Sequence, residues 1–234
     1  MAQQGEQPGD RGVFHGWCDA HVMRTHGLSM VDQEENGMSE PLDTRARQQL
    51  FTDARSHNAW LDQAVPDAVL HDLYELARWG PTSMNCSPMR IVFVRSLPAR
   101  ERLLSAVFPG NFEKVRTAPV VAIIAQDVAF YTQLDKLFPH RPGAGKMFIE
   151  QPKLARDTCF RNSSLQGGYF IMAARALGLD CGPLSGFDAA RVDKLFFEGT
   201  ALSANFLCCL GYGDPAGLFP RSPRFDFDEV CDIL

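Results

Sequence analysis

The side chains with most chemical reach in this chain gather in four short polar stretches. They are Arg55-Ser56 with Asn58, Pro81-Thr82-Ser83-Met84-Asn85-Cys86-Ser87-Pro88, Gly182-Pro183-Leu184-Ser185-Gly186-Phe187-Asp188, and Arg221-Ser222-Pro223-Arg224. Several familiar chemistries can be set aside from what these stretches lack. In Gly182 to Gly186 the serine stands one place too late for a nucleophile elbow, and no His/Asp set accompanies it. A Walker loop, a Gly-x-Gly-x-x-Gly turn and a His-Glu-x-x-His helix are all missing, so the nucleotide and metal motifs with strong mechanics do not apply. What remains is a set of polar loops at element ends. Singly, each has a plain reading: Arg55 and Arg224 as solvated charges, Asn85 as a turn former, Gly186 as a residue chosen for its backbone freedom.

Cysteine adds little chemistry. The seven thiols, at 18, 86, 159, 181, 208, 209 and 231, are an odd number without Cys-x-x-Cys spacing, which signals neither zinc nor a disulfide framework and fits a reducing compartment. Cys208-Cys209 lies in an apolar run and reads as packing. Cys86 has no basic neighbour to hold a thiolate. Asn162-Ser163-Ser164 matches a glycosylation acceptor by chance, since no secretion signal is legible.

The elements that must position the polar loops can be read from periodicity. Apolar residues at helical spacing predict helices over 42–60 and again after Pro66 to Gly80. Ile91 to Val94 and Ala118 to Ala125 read as buried strands, with a helix over 99–108 between them. Residues 127–152 look like a helical excursion broken at His140 to Gly145, carrying Phe130 and Phe148 as apolar surface. Residues 158–177 form the candidate central helix, whose small residues permit close packing and which Gly178 stops. Tyr169-Phe170 reads as core. A helix over 189–197 and a strand over 205–210 complete an α+β order with a few central strands. Residues 1 to 40 lack periodic apolar positions and read as a disordered extension ahead of a domain over 41–234.

A formal charge of -5, with 45% apolar and 22% charged residues, describes an ordinary globular chain without the basic excess that a nucleic-acid partner requires. The apolar runs are too short to cross a membrane. A small-molecule ligand and a cytoplasmic location are expected.

Taken together and in this order, the four stretches resemble the nitroreductase superfamily of FMN-dependent oxidoreductases over residues 45 to 234. The family's basic/Ser motif is matched by Arg55-Ser56, its C-terminal basic residue by Arg224, and its Pro-Ser-x-x-Asn loop by Pro81 to Pro88. Its Gly-Leu-Asp-x-x-Pro-x-x-Gly-Phe-Asp motif is matched by Gly178 to Asp188. The resemblance implies a nitroreductase-like fold, a central sheet containing antiparallel strands flanked by helices. It also implies FMN as cofactor, NADH or NADPH as co-substrate, and a homodimer that builds its flavin sites from both chains.

The site residues it implies are Arg55, Ser56, Asn58, Arg221 and Arg224 around the phosphate, Asn85 against the flavin, and Pro183, Leu184, Ser185 and Gly186 along the ring. The Gly186 N–H would lie near flavin N5. Ala54 and Asn58 stand where many relatives carry cations, and Arg221 is expected to compensate. The strings Phe51 to Asn58, Trp79 to Ser83, Asn85 to Pro88, Phe160 to Ser164 and Gly211 to Asp214 resemble the malonic semialdehyde reductases of pyrimidine breakdown. That subgroup implies a small acidic aldehyde as substrate, with Arg161 a candidate for its carboxylate. A broad nitro or quinone reductase and a flavin-binding module without turnover are the alternatives.

Overall fold

A computed structural model of the chain describes residues 39–234, so the extension expected over residues 1 to 40 lies almost wholly outside the described residues. In chain order the elements are α1 (Thr44–Arg47), α2 (Asp67–Ala77), β1 (Met89–Val94), α3 (Leu97–Leu104), α4 (Phe112–Thr117), β2 (Val120–Asp127), α5 (Leu134–Leu137) and α6 (Lys146–Glu150). They continue with α7 (Pro152–Ala176), β3 (Asp180–Leu184), α8 (Ala189–Phe196), β4 (Leu202–Gly211) and α9 (Phe227–Val230). The strands form one antiparallel sheet in the order β1-β2-β4-β3. The α+β class read from the sequence is therefore the observed one.

Helices cover both faces of the sheet, which is why β2 reads as a continuous apolar run rather than an alternating one. Val120, Ala122 and Ile124 pack toward α7 and α2 with Phe170, Leu73 and Ala77. Val121, Ile123 and Ala125 pack toward α3, α4 and α8 with Leu103, Val115 and Val192. Fully burying one such side chain is worth about 1.5 to 3 kcal/mol, so the two cores fix the sheet from both sides.

The central helix α7 begins with Pro152 in its first turn and ends in a Schellman motif. Leu179 N–H donates to the Ala174 carbonyl at 2.9 Å, Gly178 N–H donates to the Arg175 carbonyl at 3.0 Å, and Gly178 has a φ of 77°. This tight stop delivers the chain straight into β3. That strand was read from sequence as a loop because Gly182 and Pro183 disfavour strands; at the sheet edge, the missing Pro N–H is tolerated.

Other boundaries also differ. The helix expected over 42–60 is only α1 and a π-helical turn, Gln48–Thr52. Its apolar residues Leu42 and Phe51 stay exposed, and beyond it Ser56 is drawn into a parallel bridge with Cys181. Helix α3 stops before Phe108 because Phe108 N–H donates to the Gly186 carbonyl and the Ala106 carbonyl accepts from Asp188 N–H. The short α4 had no separate signal. In the 127–152 excursion, Phe130 and Phe148 point inward to a small core of their own instead of forming an exposed surface. Phe170 is core, whereas Tyr169 is exposed.

Candidate functional site

The first polar group forms where two distant segments cross at the start of β3. His57 N–H donates to the Cys181 carbonyl at 2.9 Å, which pins the Arg55–Asn58 turn beside the strand. From the other end of the chain, residues 219–224 lie across it. The Arg55 guanidinium donates to the Phe219 carbonyl, and Arg221 Nη2 donates to the Ala54 carbonyl at 3.4 Å. The resulting pocket of about 280 Å³ is lined by Arg55, Ser56, Asn58, Arg175, Ser222, Arg221 and Arg224, among others.

Its electrostatics are one-sided. Four guanidinium groups face a pocket whose lining includes no carboxylate, and none of the four forms an ion pair among the described residues. Their protein acceptors are backbone carbonyls or, for Arg175, a methionine sulfur as well. The buried Arg175 Nε has no partner at all among the described residues. Such a cluster of donors suits a phosphate dianion, which takes several charge-assisted bonds. Five expected residues, Arg55, Ser56, Asn58, Arg221 and Arg224, thus converge. Arg175 was missed: a cation in the last turn of a helix reads from sequence as a partner for the helix dipole.

Pro183, Leu184, Ser185 and Gly186 do not line that pocket. Lys114 Nζ donates to the Pro183 carbonyl at 3.3 Å, Leu184 pairs with Leu207 in the sheet, and Ser185 is exposed. The Gly186 carbonyl accepts from Phe108 N–H at 3.0 Å and from Asn111 Nδ2 at 3.4 Å. Its own N–H has no acceptor among the described residues. A Cβ at Gly186 would lie 2.2 Å from Asn111 Nδ2, so the position excludes a side chain. Lys114 is buried, and desolvation lowers its ammonium below the ordinary lysine range. Asn111 and Lys114, one turn apart on one side of this strand end, were not singled out from sequence because α4 itself was not.

Asn85 belongs to a third place. Met84, Asn85 and Ser87 all have positive φ, at 55°, 49° and 37°, a concentration of left-handed residues that costs energy and persists only when neighbours enforce it. The enforcement comes from Ser83 N–H donating to Asn162 Oδ1 at 2.8 Å, Ser87 N–H to Thr82 Oγ1 at 3.1 Å, and Asn85 Nδ2 to the Leu137 carbonyl at 2.9 Å. Asn162 is therefore a buried helix residue holding a loop, inaccessible to glycosylation. Within the same loop, burial pushes the Cys86 thiol up to about 11, which keeps it protonated. Asn85 lines a pocket of about 510 Å³ with Arg78, Trp79, Lys136 and Gln166, separate from the arginine cluster. Arg161 is exposed and lines neither pocket.

Comparison with known proteins is consistent with this geometry. Residues 52–213 match the model described as the Nitroreductase family. The Ralstonia pickettii protein HadB, whose name assigns it provisionally to the NADH dehydrogenase/NAD(P)H nitroreductases, is 56% identical over 187 residues, 79% of this chain and 95% of HadB. A nitroreductase family protein of Streptococcus pneumoniae superposes with a TM-score of 0.70 at 20% identity, covering 80% of this chain and 98% of that one. A nitroreductase-type protein of Exiguobacterium sibiricum, solved in complex with FMN, gives a TM-score of 0.69 at 19% identity, covering 84% and 99%.

Proposed function

The chain belongs to the nitroreductase family and is an NAD(P)H-dependent oxidoreductase of that FMN-using class; within the class we propose that it reduces malonic semialdehyde to 3-hydroxypropanoate. The observation that carries the cofactor reading is the carboxylate-free cluster of Arg55, Arg175, Arg221 and Arg224 with Ser56 and Ser222, one of whose guanidinium nitrogens is buried without a partner. These residues fit the phosphate of FMN. At the end of β3, the free Gly186 N–H and the buried Lys114 cation fit the polar edge of a flavin ring.

When bound, FMN would relay a hydride from the nicotinamide to the substrate. The chain's own part is to hold the phosphate, offer one backbone donor, and place a positive charge beside the strand end. In balance, the aldehyde, NAD(P)H and a proton from water give the primary alcohol and NAD(P)⁺. No acid–base triad is required for this, in keeping with its absence from the polar loops.

A homodimer accounts for the separation of Asn85 from the arginine cluster, because a site built from two chains can draw one group from each. Exposed apolar residues support the same reading: Phe160, Leu165 and Tyr169 on α7, and Trp79 after α2. The outer edge of β1 is unpaired among the described residues and borders a groove of about 720 Å³ lined by Leu70, Ile91 and Phe93 with Arg90 and Arg95. Residues 225–234 carry exposed Phe225, Phe227, Val230, Ile233 and Leu234 interspersed with Asp226, Asp228, Glu229 and Asp232. In apolar content they complement that groove on a second copy.

Purified protein should be yellow and release FMN on denaturation. Steady-state kinetics then tests the substrate: kcat/KM for malonic semialdehyde should exceed that for quinones and nitroaromatics. If a quinone or nitroaromatic is turned over far better, the broad reductase reading, which the relatives' names favour, replaces it.

A further inference from the structure

The pocket beside Asn85 is built for an anion, and by different residues from the phosphate cluster. Its lining holds Arg78, Arg90 and Lys136 and no carboxylate. Arg90 is committed, 2.7 Å from Asp127 and donating to the Ser87 and Met89 carbonyls. Arg78 lies over the Trp79 ring, and its one ion pair among the described residues is with the solvent-exposed Glu75 at 3.2 Å, which water largely screens; Lys136 has no ion-pair partner among the described residues.

The more specific observation is Gln166. It is 4% exposed, and its Oε1 accepts from Met89 N–H at 3.0 Å. Because a backbone N–H must face the amide oxygen, the orientation of this amide is fixed and its Nε2 is the free end. That Nε2 has no acceptor among the described residues, while the side chain lines the pocket. An amide of a buried residue, fixed by its oxygen with the unpartnered Nε2 left at the pocket beside two available cations, is an arrangement that takes a carboxylate.

We propose that this pocket binds the substrate's carboxylate, with Gln166, Lys136 and Arg78 selecting an acidic over a neutral aldehyde. This takes the role for which Arg161 was only a candidate. It rests on the malonic semialdehyde reading and adds to it the residues that would enforce it. A phosphate of the nicotinamide dinucleotide shares the anionic chemistry, so the test must separate the two.

Gln166→Glu is the discriminating variant, since it retains an acceptor for Met89 N–H and replaces the free donor by a negative charge; Arg78→Gln/Lys136→Gln removes the cations without touching the loop. In the FMN-loaded enzyme, two quantities are measured: kcat/KM for malonic semialdehyde relative to propanal, and the dissociation constant of malonate by calorimetry. Each variant should lower the acid-to-neutral ratio and weaken malonate binding at least about tenfold. Variants that keep both the ratio and malonate affinity overturn the inference while leaving the substrate reading intact. A rise in KM for NADPH without a change in malonate affinity also overturns it, assigning the pocket to the dinucleotide. If the wild type ignores the acid's charge yet binds malonate and loses it in Gln166→Glu, the carboxylate site stands and the substrate reading fails.

Discussion

His57 Nε2 lies 3.2 Å from Asp180 Oδ1, joining the turn that carries Arg55 and Ser56 to the first residue of β3. The other carboxylate oxygen accepts from Gly213 N–H at 2.8 Å, so one acid ties three separate segments together. The imidazole packs so closely on Gly213 that a Cβ there would fall 1.9 Å from Nδ1. Asp180 therefore positions the Arg55–Asn58 turn without lining the arginine pocket.

Asp180→Asn should loosen FMN by about 1.5 to 3 kcal/mol, the scale of a hydrogen bond to a charged group. Riboflavin, which lacks the phosphate, should bind the variant and the wild type alike. Equal losses for both flavins, read by fluorescence titration, would mean that Asp180 supports the whole domain instead of the turn.

Arg175→Ala and Arg224→Ala should each cost FMN affinity on the same scale, again sparing riboflavin. Unchanged FMN affinity in Arg224→Ala would reduce that residue to a surface charge. Unchanged affinity in Arg175→Ala would leave its buried orphan nitrogen without explanation.

Gly186→Ala should slow flavin reduction by NADPH, because the new methyl collides with Asn111 Nδ2 and displaces the backbone N–H. Pairing it with Asn111→Ala should restore much of the rate. If the single variant reduces its flavin at the wild-type rate in stopped flow, the Gly186 N–H has no place beside the ring.

What the sequence made legible is what local chemistry dictates. Gly178 declares the end of α7 and Ile91 to Val94 declare a strand, because a left-handed stop and a β-branched run act within a few residues. The convergence of Arg55, Arg221 and Arg224 was legible only through the family resemblance. Arg175, Asn111 and Lys114 were not: their roles arise from contacts made across the sheet, and Lys114 became distinctive only once buried beneath Pro183. The inward turn of Phe130 and Phe148 was likewise a tertiary choice, since an apolar helix face does not state which core it will join.

Burial pushes the thiols of Cys86 up to about 11 and of Cys159 and Cys209 up to about 12, against an ordinary value of 9.0. Above pH 9 the unfolded chain sheds these protons while the folded chain keeps them, so stability must fall as pH rises. Denaturation midpoints should decline from pH 9 to 11. Cys86→Ser should make the decline shallower; an identical slope would refute the assignment.

Deleting residues 225–234 should convert a dimer to a monomer by light scattering and expose the β1 groove to an apolar dye. A monomeric mass for the intact, FMN-loaded protein would remove the two-chain account of Asn85.

The Arg55–Phe219 contact spans 164 residues of chain. The arginine cluster therefore closes only once residues 219–224 have docked across the Arg55–Asn58 turn. Under the proposed function, flavin capture follows that docking. Supplying flavin to cells should then raise the yield of folded protein through mass action on the folded state, and should do nothing for chains truncated before Phe219.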